Sequence, residues 1–123
     1  MTRSRRILGR TGEEMAVRHL AALGYEIVER NVSLRVGEID IVARDGPVYV
    51  LVEVRTRRGE AWGSALASVD AAKQRRLARA AHAYMASRGL HDAAFRFDVV
   101  AITWNRAGSP PRIEHIQDAF TLS

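Results

Sequence analysis

Apolar residues first recur at helical spacing between Thr11 and Leu23, where Met15, Ala16, His19, Leu20 and Leu23 form one stripe. Gly24 stands where a left-handed residue would stop that helix. Tyr25 to Arg30 reads as a short strand, with Tyr25, Ile27 and Glu29 on one face and Glu26, Val28 and Arg30 on the other. Gly37–Ala43 and Val48–Arg55 are two stronger strands around Arg44-Asp45-Gly46-Pro47, whose Asp-Gly and Pro signal a turn, so they predict a hairpin. A second helix follows, opened by Ser68 or Asp70 and closed by Gly89. Its stripe is Leu77, Ala80, Ala81, Tyr84 and Met85, and its polar side carries Arg75, Arg76 and Arg79. Phe95–Trp104 is the last long strand, and Gly108-Ser109-Pro110-Pro111 turns into a short one from Ile113 to Ile116. The order α-β-β-β-α-β-β, without repeat or linker, predicts an α/β fold in one domain over 1–123, a mixed sheet flanked by helices.

At 123 residues the chain is long enough for one real core and too short for two. The absence of cysteine excludes disulfides and thiolate metal sites and fits a reducing, cytoplasmic setting. The longest strongly apolar run, Val48–Val52, is far too short to cross a bilayer, and the basic start MTRSRRILGRTGEE lacks the apolar stretch of a secretion signal. No membrane partner is therefore expected. A net charge of +5 and a pI near 10.6 favour polyanionic partners. Lys73 is the only lysine, and codon bias in a GC-rich genome accounts for so many arginines. Only the placement of individual charges is then informative.

That placement is most telling in the hairpin. A four-residue turn pairing Ala43 with Val48 puts Asp40 opposite Leu51 and Glu38 opposite Glu53, with Asp40 and Glu53 diagonal neighbours. One face is then wholly apolar (Ile39, Ile41, Ala43, Val48, Val50, Val52, Val54). The other holds Glu38, Asp40 and Val42 beside Tyr49, Leu51, Glu53 and Arg55. A half-buried acidic cluster is costly unless a cation or proton compensates it. Either it is a salt-bridged sheet end, with Arg55 neutralising Glu53 and Arg35 or Arg57 helping, or it is a divalent-cation site of Mg²⁺ type. Carboxylates alone do not separate the two. The cluster runs directly into a stretch, Arg55 to Arg79, with seven basic residues against Glu60 and Asp70. Phosphate attraction beside a cation site is the layout expected of an enzyme that cuts a nucleic-acid backbone.

Asp40, twelve intervening residues and then Glu53-Val54-Arg55 resemble the restriction-endonuclease-like PD-(D/E)XK core. The wider pattern resembles the YraN-like family of bacterial proteins, itself similar to archaeal Holliday-junction resolvases. The matching pieces are Gly9-Arg10-Thr11-Gly12-Glu13, Gly24-Tyr25, Arg30-Asn31, Gly37-Glu38-Ile39-Asp40, Val52-Glu53-Val54, Lys73 with Arg76-Leu77, Arg96-Phe97-Asp98-Val99 and Ala119-Phe120. The resemblance implies three antiparallel strands and a fourth joining in parallel after the second helix. It implies that Asp40 and Glu53 bind a metal, Mg²⁺ or Mn²⁺, with Glu13 as an additional acid. The family's usual lysine is here Arg55, which stays protonated and can only orient or neutralise phosphate. The metal alone could activate water, Lys73 could take over from the helix, or turnover could be lost with binding retained.

The expected activity is hydrolysis of DNA, including branched forms such as junctions or flaps, with a symmetric homodimer by analogy with the resolvases. Arg57, Arg58, Lys73, Arg76 and Arg79 would grip the backbone without reading sequence. A non-catalytic nucleic-acid-binding accessory protein and a small basic adaptor for protein or ribosomal RNA are the competing classes. His19, His82, His91 and His115 are not spaced as ligands, and His19 and His82 read as packed residues. Asp98 is expected to pair with Arg96, Trp62 and Trp104 to pack, and Ser64 and Ser68 have no His-Asp partners.

Overall fold

A computed structural model describes residues 3–58, 66–104 and 109–121, with residues 3–10 and 66 by backbone alone. Helix α1 (Arg3–Ala22) precedes β1 (Glu26–Leu34), β2 (Gly37–Asp45) and β3 (Val48–Arg58). A single 3₁₀ turn (Leu66–Ser68) leads into α2 (Ala71–Ser87), then β4 (Phe95–Trp104) and β5 (Arg112–Ile116). The strands form one mixed sheet in the order β1-β2-β3-β4-β5. The first three are antiparallel, β4 joins β3 in parallel, and β5 returns antiparallel to β4. A parallel step needs a long crossover, and α2 supplies it. The α/β architecture expected from the element order and the strand directions implied by the family resemblance are both present.

Each helix covers one face of the sheet, which explains why β2, β3 and β4 are apolar on both sides. Ala16 and Leu20 of α1 pack on Ile41, Ala43, Val50, Val52, Val100 and Ile102. On the other face Leu77, Ala80, Ala81, Tyr84 and Met85 of α2 pack on Val42, Leu51, Phe97, Val99 and Ala101, so the whole predicted stripe is buried. Asp70 caps α2, its carboxylate accepting from the Lys73 N–H at 2.8 Å. Gly24, at φ +92°, ends α1 as expected.

The hairpin register differs from the expected one. Asp45 pairs with Val48 and Ala43 with Val50, so the turn holds only Gly46 and Pro47. Gly46 takes φ +59°, and the tight turn lets Arg44 and Asp45 stay in the ladder. Two further expectations fail for related reasons. A bulge between Ile27 and Glu29 turns Glu29 to the α2 face, where the Tyr84 hydroxyl donates to it at 2.9 Å. Ile39 packs with Val42 and Leu51 while Ile41 lies on the α1 face, so the predicted single apolar face does not hold. β1 changes face at the same level, with Arg30 reaching α1 and Val32 on the α2 side, and Asn31 between them adopts φ +52°. The edge of the sheet is therefore twisted at Asn31 and Asp40. α1 also begins eight residues before Thr11, and β1 continues to Leu34.

Candidate functional site

Continuing the Ile41↔Val52 register by one residue brings Asp40 level with Glu53 rather than with Leu51, and removes Glu38 from opposite Glu53. The β2–β3 ladder stops at that point. Instead of a backbone carbonyl, Asp40 Oδ2 accepts the Val54 N–H at 2.8 Å. Glu53, only 6% exposed, comes up beside it from the neighbouring strand. Burial first and the Asp40 charge second raise the Glu53 carboxyl to about 7. Burial also raises Asp40, offset by the Val54 N–H, by Lys73 and by a hydrogen bond with Glu53, while the Glu38 charge adds to the rise. The two carboxyls thus each resist ionisation, and the charge of either makes ionising the other harder.

Cations meet this pair from two elements. Lys73 Nζ, reaching from the first turn of α2, lies 3.4 Å from Glu53 Oε1, and Arg55 Nη1 lies 3.5 Å from the same oxygen. Arg55 is anchored on its other side: Nη2 donates to the Ser68 carbonyl at 2.7 Å and Nε to Ser68 Oγ at 3.3 Å. Lysine and arginine thus approach one carboxylate together, the lysine from the helix and not from the strand.

Glu13 approaches from α1. An added Cβ at Gly12 would sit 2.5 Å from Thr56 Oγ1, so only glycine lets α1 lie this close to β3. Arg30 Nη2 stands 3.7 Å from Glu13 Oε1, and Asn31 donates a side-chain hydrogen bond to the carboxylate. Burial and then the Asp40 charge raise its pKa. Oε1 is buried without a hydrogen-bond partner. Among the described residues, no three His, Asp or Glu side chains are grouped closely enough to hold a metal, so Glu13 stands beside the Asp40–Glu53 pair without completing a triad.

The remaining predicted positions separate. Arg57 and Arg58 extend β3 beyond Glu53, Arg58 exposed at its end. Arg76 and Arg79 are exposed on α2. Residues 59–65, including Trp62 and Ser64, lie outside the described residues. Trp104 packs against the α1-side core. Asp98 pairs with Arg96 at 3.0 Å, as expected, but it also meets His115 Nε2 at 2.8 Å, and His115 Nδ1 lies 3.1 Å from His19 Nε2. Sequence reasoning missed that chain, whose partners are brought together only by the β4–β5 pairing and the seat of α1. It lies on the α1 face, whereas Glu53 faces α2.

The donors present fit a hard divalent cation. Mg²⁺ commonly takes one or two protein carboxylates and completes its shell with water and substrate oxygens. Asp40 and Glu53 supply two. A bound cation would also offset the cost of holding both carboxylates ionised in a buried place.

Residues 12–102 match the profile of the uncharacterised protein family UPF0102. A UPF0102 protein of Geotalea uraniireducens is 52% identical over 116 residues, 94% of this chain and 91% of that protein. One from Symbiobacterium thermophilum is 50% identical over 117 residues, 95% of this chain and 98% of its own length. One from Pelotomaculum thermopropionicum is 43% identical over 120 residues, covering 98% of this chain and all of its own length. The YraN-like resemblance is thereby met, and the chain belongs to the UPF0102 family.

Proposed function

We propose that this chain is a nuclease-type domain of PD-(D/E)XK fold that hydrolyses phosphodiester bonds in DNA, with branched or otherwise structured DNA as the preferred form. The observation that carries this reading is the meeting of Asp40 and Glu53, level on adjacent strands, sharing hydrogen-bonding space beside Lys73 and Arg55. The strand directions support it, because β1–β3 are antiparallel and β4 follows α2 in parallel.

Asp40 and Glu53, both ionised, would hold Mg²⁺ or Mn²⁺. Such an ion supplies, when bound, polarisation of the phosphate and acidified water. The Lys73 ammonium and the Arg55 guanidinium compensate the phosphate charge. Ser68 fixes Arg55 in place, so its fork costs little entropy to orient. Glu13, whose Oε1 accepts no hydrogen bond, orients water on the α1 side. Arg57, Arg58, Arg76 and Arg79 hold the backbone.

Single-turnover cleavage of junction, flap and linear DNA with Mg²⁺ or Mn²⁺ tests the reading. Product formed by the wild type and lost in Asp40→Ala supports it. Absence of product from every substrate with either metal overturns it. The engagement of Arg55 by Ser68 favours a second reading, a DNA-binding accessory protein without turnover. Tight metal-independent binding without product is its signature, and a large gain of cleavage in Arg55→Lys would mark a chain whose catalysis was lost at that one residue.

A further inference from the structure

Helix α2 carries more positive charge than the acidic pair uses. From Ala71 to Ser87 it contains Lys73, Arg75, Arg76 and Arg79 and no acidic residue. Lys73 goes to Glu53, whereas Arg75, Arg76 and Arg79 form no ion pair among the described residues. Folding does not need them, since the buried stripe is Leu77, Ala80, Ala81, Tyr84 and Met85. They also stand where stability alone would not put them. Arg75 and Arg79, four residues apart on one side of the helix, repel each other.

On the flank of α2 away from Lys73, Arg75, Arg79 and His82 line a groove of about 430 Å³. Ala71 and Ala78 keep it open, and Thr121 of the C-terminal segment lines it as well. His82 stands edge-on to Phe95, 5.8 Å between centroids, so the groove runs toward the start of β4. Arg75 and Arg79 are spaced by about 6 Å along the helix axis. That is comparable with one to two nucleotide steps of about 3.4 Å each. A row of donors at this pitch, with no carboxylate among the described residues that line it, suits a chain of regularly spaced anions.

We propose that this groove is a second backbone site, in which Arg75, Arg79 and His82 hold the sugar-phosphate of a DNA strand that extends across α2 from the Asp40–Glu53 pair. The inference rests on the DNA reading above and assigns the flank where the strand continues. Arg79, exposed on the helix, borders the groove on the side toward Arg76 and links the two.

Binding of a fluorescent DNA duplex in EDTA, followed by anisotropy across a salt series, tests it apart from cleavage. The double variant Arg75→Gln/Arg79→Gln should bind about tenfold more weakly near 0.1 M salt. Its slope of log affinity against log salt should be shallower by about 1.8, or 0.9 for each lost phosphate contact. The charge-matched variant Arg18→Gln/Arg112→Gln, altering exposed arginines on α1 and β5, should keep the wild-type slope. All of these side chains are exposed, and equal melting temperatures verify that the variants fold. A wild-type slope in the groove variant, or an equal loss in both double variants, overturns the inference while leaving the functional proposal standing. Wild type that binds no DNA at low salt, or binds RNA alone, overturns the DNA reading itself and this site with it.

Discussion

Glu53 is stable in its buried position chiefly as the protonated acid. Its carboxyl titrates near 7 in the fold and near 4.5 when exposed, so the native state binds the proton more tightly. The stabilisation is complete below about pH 4.5 and is lost as pH rises through 7. In the absence of divalent cations, melting temperature is therefore expected to fall between pH 5 and 8. Asp40→Asn, which removes the opposing charge, should flatten that decline and raise the pH 8 melting point by several degrees. Thermal denaturation in EDTA at stepped pH checks both, and an unchanged decline in the variant would contradict the coupling. The approach of Asp40 to Glu53 could be read from strand alternation alone, although the register was two residues out. Asp-Gly-Pro signals a loop, whereas the twist of the strands favours a two-residue turn that keeps Arg44 and Asp45 paired. The position of Lys73 could not be read that way, because it depends on how α2 seats against the sheet.

At the scale of elements, two contacts position the helices and the last strand. The first is Gly12 against Thr56, where a methyl group has no room. Gly12→Ala is expected to cost about 1–2 kcal/mol in urea unfolding by forcing α1 away from β3. The displacement would carry Glu13 with it. The second is fully buried Asp98, which accepts from Arg96, His115 and the Asp118 N–H. Burial pushes its pKa up, but those donors outweigh burial and hold it below the usual value. The stability it confers is present above pH 4 and fades as pH falls through the lowered folded value. Asp98→Ala should cost about 3–5 kcal/mol at neutral pH, measured by urea unfolding, because Arg96 and His115 are left without their acceptor. Helix α2 and β4 were readable residue by residue, since their periodicities are strong and their caps local. The bulge in β1 and the early start of α1 were not, since each is settled by contacts with elements distant in sequence.

At the scale of the fold, a buried acidic pair and a run of arginines unpaired among the described residues sit side by side. The acids that matter converge where β2 parts from β3, and the uncompensated arginines line α2 beside them. Net charge and the Arg55–Arg79 stretch made that asymmetry visible in the sequence. Its division into two flanks of one helix needed the fold. The most direct test is calorimetric titration of Mn²⁺ into the metal-free protein near pH 7, in buffers of different ionisation enthalpy. One ion per chain should bind with release of a proton, and Asp40→Asn and Glu53→Gln should each abolish the binding. No Mn²⁺ uptake by the wild type, or undiminished uptake by both variants, would contradict a cation held between these two carboxylates.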